Sequence, residues 1–293
     1  MRRDRRFFSH GACDAAWYGA WFVLGCALWV FFLNGGDIPF DFHDWAEVNA
    51  PRLAFVQDAL RKGVFPLHMP DASALRGVTD RYFSLPDVFF TPQLFLMKWL
   101  SVGEFVLAHF LILYAAGYIG LVRLSRRLKL SPAAFAVLFL IYNGNGHLLS
   151  HVAVGHATWG GTLLFSWFML WVYELYEEGE PPRGWPLKMG GLLFAIFLQG
   201  SFHQFVWCLL FLCAAVLTFW TRRGPDWARW KAIFSAGVCS VGLSAVRILP
   251  VAIQLDGFDD DFLGGYRSLR QLVRAFLIHV APADALDRTV TGG

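Results

Sequence analysis

The sequence predicts an all-α fold, a polytopic transmembrane helix bundle of about seven spans with a long first outer loop carrying amphipathic interfacial helices. Three observations lead there. Of 293 residues, 56% are hydrophobic and only 16% are charged, against roughly 25% charged in soluble domains. Apolar runs recur at or near the roughly 20 residues that cross a hydrocarbon core of about 30 Å as a helix. The intervening loops alternate in character: arginine-rich on one side, and rich in histidine and acids on the other.

Arg2, Arg3, Arg5 and Arg6 precede the first span, residues 15–33, and mark the N-terminus as cytoplasmic. The span is expected to stay uncleaved, because Asn34-Gly35-Gly36-Asp37 is a poor cleavage site and the apolar run is longer than that of a signal peptide. The outer loop follows, residues 35–87. Within it Val48, Leu53, Phe55, Val56, Ala59 and Leu60 recur at helical spacing, so residues 45–62 predict an amphipathic helix lying at the interface, stopped by Gly63. Pro66 and Pro70 continue it as loop. Residues 88–100, with Pro92 and Lys98, are too short to span and lie in the interface or re-enter.

The second span, 103–122, ends in Arg123, Arg126, Arg127 and Lys129. Ser131-Pro132 opens the third, 132–142, with proline in the first turn. The loop 143–158 holds three histidines and no lysine or arginine. Spans 159–173, 189–200, 205–220 and 232–249 complete the set, with Arg222, Arg223, Arg229 and Lys231 between the last two. The inferred inner segments hold more than half of the 25 lysines and arginines, whereas the short outer loops 143–158 and 200–204 hold none. Every histidine except His10 falls on the outer side. The chain divides into a transmembrane module, 1–255, and an outer-face tail, 256–293. The tail reads as the start of a missing C-terminal part, the chain being an N-terminal fragment.

Composition also narrows function. The basic runs are short and flank apolar spans, so they read as topology signals and no nucleic-acid partner is expected. Cys13, Cys26, Cys208, Cys213 and Cys239 lie in or beside apolar spans, which argues against a disulfide framework. There is no internal repeat and no titratable residue at mid-membrane depth, where a transporter builds its site. Titratable groups gathered at one surface point to an enzyme at that interface; a transporter and a non-catalytic scaffold are the alternatives.

The richest outer segment is Asp41-Phe42-His43-Asp44-Trp45. An acid at the mouth of a membrane helix can serve as general base towards an acceptor hydroxyl or hold a divalent cation; Asp44 also suits the N-cap of the following helix. His147 and His151 share one helical face at i, i+4, and His156 follows after Gly155. Zinc sites use such pairs, but no acid accompanies them in the HExxH manner, so no metal set is assigned. Contact with a phosphate or sugar, and helix-end packing, are the other readings. Arg247 at the outer end of the last span can snorkel to the interface or hold a lipid phosphate, joined by Arg81 or Lys98. His203 sits in a tight outer turn.

This arrangement resembles the GT-C superfamily of integral-membrane glycosyltransferases, and most closely its bacterial YfhO-like branch. The resemblance rests on the basic N-terminus, one span, and the loop opening Asp41-Phe42-His43-Asp44-Trp45. It continues through Lys62-Gly63-Val64-Phe65-Pro66-Leu67-His68-Met69-Pro70, Phe89-Phe90-Thr91-Pro92, Gly144-Asn145-Gly146-His147 and Arg247-Ile248-Leu249-Pro250. It implies a multi-pass protein of the bacterial cytoplasmic membrane that takes a sugar from a polyprenyl-phosphate donor and passes it to a glycan, lipid or protein acceptor at the outer face. It also implies Asp44, or secondarily Asp41, as catalytic base. In some members that acid binds a metal, so a divalent cation is the one cofactor it leaves room for. Arg247, Arg81, Lys98, His151, His156 and His203 would then hold donor phosphate or sugar, with Trp45, Tyr82 or Trp159 stacking the sugar.

Overall fold

The computed structural model describes residues 11–66, 88–177, 180–223 and 226–254. Arg81, Tyr82, His68 and the tail 256–293 lie outside the described residues. The described residues are all-helical, with no strand among them. Helix α1 is Gly11–Phe32, and the predicted interfacial helix is α2, Ala50–Arg61, entered through one π-helical turn, Trp45–Asn49. Gly63, at φ +73, ends it. The segment 88–100 does not form an α-helix. Pro92–Lys98 winds as a 3₁₀ turn.

Helix α3 (Val102–Leu128) starts with a capping box: Ser101 Oγ accepts from Glu104 N at 3.3 Å, and Glu104 Oε2 accepts from Ser101 N at 2.7 Å. Ser131 caps α4 (Pro132–Asn143), as its sequence predicts. Asn145 caps α5 (Gly146–Ala153), accepting from His147 N and Leu148 N. The third apolar stretch is therefore longer than 132–142. The fourth begins not as an α-helix but as 3₁₀ turns over Ala157–Leu164, which lead into α6 (Phe165–Tyr176). Helices α7 (Trp185–Leu198), α8 (Phe202–Arg223) and α9 (Trp227–Gln254) complete the described chain. Among the described residues, four helical stretches are long and apolar enough to cross a membrane: Asp14–Phe32, Val102–Leu128, Pro132–Ala153 and Trp227–Leu249. Trp185–Leu198 and Phe202–Thr218 are apolar but shorter.

Helix α3 is the central element, packed against α1 on one side and against α6 and the 3₁₀ turns on the other. In lipid the driving force is close packing and hydrogen bonding rather than exclusion of water, and α3 has both. Tyr118 Oη donates to Tyr18 O at 2.6 Å and Tyr114 Oη to Phe22 O at 3.1 Å, setting α1 antiparallel to α3. Across from them, Ser166 Oγ donates to Gly117 O at 2.6 Å and Trp167 Nε1 to Ala116 O at 2.8 Å. A Cβ on Gly117 would overlap Leu163 O and Tyr142 Oη, so only glycine permits this approach. Helix α7 lies along α9 in the same way, with Gly190 against Cys239.

The segregation of charge along the sequence recurs in space. At one end the Arg127 guanidinium pairs with Glu177, Arg123 stands 5.0 Å over Trp167, and Arg229 donates to Leu175 O at 2.6 Å. At the other end the first loop meets α5 and the turn that follows it.

Candidate functional site

The site begins with a backbone accommodation. His43 adopts a left-handed conformation, φ +49, uncommon for a residue with a Cβ though less so for histidine. Asp44 then stands at the N-cap position but with helical backbone angles, and its side chain caps nothing. The carboxylate turns instead between two imidazoles. Oδ1 lies 3.3 Å from His43 Nδ1, and Oδ2 lies 3.0 Å from His156 Nε2.

Long-range contacts hold that pairing in place. Trp45, 4% exposed, donates from Nε1 to Val152 O at 2.9 Å. Asn49 Nδ2 donates to Gly155 O at 2.5 Å and to Asp44 O at 3.1 Å. Gly155 takes φ +98 where the two segments touch, and a Cβ there would come within 2.7 Å of Asp44 C. The left-handed glycine reverses the chain after α5 and turns His156 towards Asp44.

Behind His156 stands a second histidine. The Nδ1 atoms of His151 and His156 are 2.6 Å apart, so one ring must donate and the other accept. His151 stacks on Trp159 with centroids 3.8 Å apart and planes 6° from parallel, and His147 meets both rings edge-on at 4.6 and 4.7 Å. Trp207 follows, 5.6 Å from Trp159 and nearly half exposed, with His203 6.3 Å beyond it. The result is an acid, Asp44, backed by an oriented pair of imidazoles, the second of which stacks on an aromatic face formed by Trp159 and the exposed Trp207. A carboxylate so placed can accept a proton from a hydroxyl. One ligand atom from each of His43, Asp44 and His156 lies within 4.8 Å of the other two, so the three residues can hold a metal ion.

The other predicted residues fall elsewhere. Asp41 is exposed in the turn before His43. Lys98 is exposed beside Trp99, where Gln57 Nε2 ties the segment to α2 by donating to Leu100 O at 2.6 Å. Arg247 is fully buried: Nη1 donates to Val88 O at 3.0 Å, and the guanidinium faces the rings of Phe90 and Phe197 at 5.8 and 5.5 Å. Trp45 is too buried to stack a sugar. Arg81 lies outside the described residues. Sequence reading missed Asn49, Gly155 and Trp207, and missed His43 as a partner of Asp44; its signal was the His-Asp dipeptide itself. No protein-family model matches the chain, and neither does any curated protein or solved structure.

Proposed function

We propose that the chain is the membrane module of a glycosyltransferase that moves a sugar from a polyprenyl-phosphate donor to an acceptor hydroxyl at the outer face of the bacterial cytoplasmic membrane. The observation that carries this reading is Asp44, held between His43 and His156 at the histidine-rich end of the bundle, with His151 and the Trp159–Trp207 face behind His156. In this reading the chain crosses the bilayer about seven times, as α1, α3, the α4–α5 stretch, the 157–176 stretch, α7, α8 and α9. The N-terminus is then cytoplasmic, and the Asp44 cluster sits at outer headgroup depth, where the reactive carbon of a lipid-linked sugar must lie.

The chemistry assigned to the site is a single displacement. Asp44 takes the acceptor hydroxyl proton. The acceptor oxygen bonds to the anomeric carbon as the bond from that carbon to the phosphate oxygen breaks, and its electron pair leaves with the polyprenyl phosphate. His156 fixes the carboxylate, and His151 fixes His156. Trp159 and Trp207 offer aromatic faces to the sugar. His203, Lys98 and Arg81 are the groups proposed to meet the donor phosphate, where fixed cations or donors stabilise the departing charge; the acceptor is a glycan, lipid or protein.

Asp44→Asn, at matched expression, tests the reading through sugar transfer from membrane polyprenyl-phosphate donors. A fall of about 10²–10⁴-fold, the usual worth of a general base, is expected. Transfer unchanged by the substitution removes Asp44 from the chemistry. No transfer by the unsubstituted chain over a broad donor panel overturns the reading in favour of a transporter or scaffold.

A further inference from the structure

We infer that His43, Asp44 and His156 form a binding site for one divalent transition-metal ion of the zinc class. The inference deepens the glycosyltransferase reading by giving its carboxylate a resident cation, but it is tested by binding alone. One ring nitrogen of His43, one carboxylate oxygen of Asp44 and one ring nitrogen of His156 already lie within 4.8 Å of one another. His43 Nδ1 lies 3.3 Å from Asp44 Oδ1 and His156 Nε2 lies 3.0 Å from Asp44 Oδ2, so the two imidazoles face the two oxygens of one carboxylate. Binding one ion draws the three groups closer together, and the His43 side chain is 54% exposed, so it is not packed against such a movement.

A second observation points the same way. A metal-ligating imidazole donates its other ring N–H to a fixed acceptor, which sets its tautomer and orientation. His156 has that partner in place: its Nδ1 is 2.6 Å from His151 Nδ1. His151 is itself immobilised on Trp159. With a cation on Nε2, His156 Nδ1–H donates to His151 and the chain of contacts is satisfied throughout. The left-handed backbone of His43 gives a third indication, since such residues persist where the surroundings over-determine them and gather at ligand sites. Two imidazoles with one carboxylate select zinc and its neighbours over magnesium or calcium, which prefer all-oxygen sets. Three protein ligands leave a coordination position open to a substrate oxygen. Asp44 has two oxygens, so a single ligand bond leaves the other for the acceptor proton.

The test uses the detergent-solubilised chain carrying a non-histidine purification tag, stripped with chelator. It is titrated with zinc against a chromophoric competitor, and separately with cobalt(II) while visible absorption is recorded. One zinc per chain is expected, together with the absorption of low-coordinate cobalt. Asp44→Asn and His156→Gln should abolish both with helical circular dichroism unchanged, and His43→Gln, at an exposed side chain, should weaken binding. His151→Ala should weaken it by about 10–100-fold, as loss of an orienting partner does, while His203→Gln should leave it intact. Zinc bound equally by a triple His43→Gln, Asp44→Asn, His156→Gln variant, or not bound by the unsubstituted chain, overturns the inference. Zinc bound as expected without sugar transfer sinks the transferase reading and leaves the metal site standing; transfer by a chain that binds no zinc does the reverse.

Discussion

Asn49 and Gly155, 106 positions apart in sequence, are joined by a 2.5 Å hydrogen bond from the Asn49 side chain to the Gly155 carbonyl. The same amide also holds Asp44 O at 3.1 Å. One side chain therefore ties together both segments of the site, the turn that carries Asp44 and the reversal that carries His156.

Gly155→Ala should break this latch. The residue sits at φ +98, and an added Cβ would meet Trp45 N and lie 2.7 Å from Asp44 C, both backbone atoms that cannot swing aside. Overpacking of this kind costs about 1–3 kcal/mol, and the left-handed backbone adds to it. The expected result is a lowered melting temperature in detergent and a loss of zinc binding out of proportion to the loss of helix. Asn49→Ala should cost less, about 0.5–1.5 kcal/mol for one hydrogen bond. A Gly155→Ala protein that melts and binds like the unsubstituted chain would show that the two segments are not held by this contact.

The latch also marks where sequence reading stops. Local signals were sound: Ser131-Pro132 opens α4, Gly63 closes α2, and the spacing of Val56, Ala59 and Leu60 puts them on the buried face of an amphipathic helix. The i, i+4 pairing of His147 and His151 was readable for the same reason, because helix geometry alone brings those rings together. The bond between Asp44 and His156 was not. It requires a glycine reversal after α5 and a turn at His43, and neither produces a periodic pattern. Asp44 read equally well as an N-cap, and only the tertiary pull of His156 decides otherwise. The start of the fourth apolar stretch was not legible for a related reason: it winds as 3₁₀ turns, and Gly160 lies close to Phe110 and Gly161 to Ser201, long-range contacts that leave no periodic pattern.

The proposed sidedness predicts opposite labelling of two exposed positions. Ser150, on α5, belongs with the histidine cluster, and Arg126, near the end of α3, belongs with the arginines. In a chain with its native cysteines replaced, Ser150→Cys should react with a membrane-impermeant maleimide on intact cells. Arg126→Cys should react only after permeabilisation. The reverse pattern would put the Asp44 cluster on the cytoplasmic side and deny it an outer-face acceptor.

Arg247 separates a structural role from a donor-binding one. Its guanidinium is wholly buried and donates to Val88 O at 3.0 Å, fastening the segment before the Pro92–Lys98 turn to α9, while the rings of Phe90 and Phe197 flank it. Hydrogen bonds from a charged group contribute about 1.5–3 kcal/mol, so Arg247→Ala should lower stability by about that amount. Arg247→Lys should recover part of it, since an ammonium can still reach one carbonyl but lacks the planar fork. Melting temperature and sugar transfer measured together decide between the roles. If the guanidinium is a fastener, transfer falls only as far as folded protein is lost, and the lysine variant recovers both. If instead it meets the departing phosphate, Arg247→Ala should cut transfer while the melting temperature stays put, and the buried contacts to Val88 and Phe197 would then have to open when the donor binds.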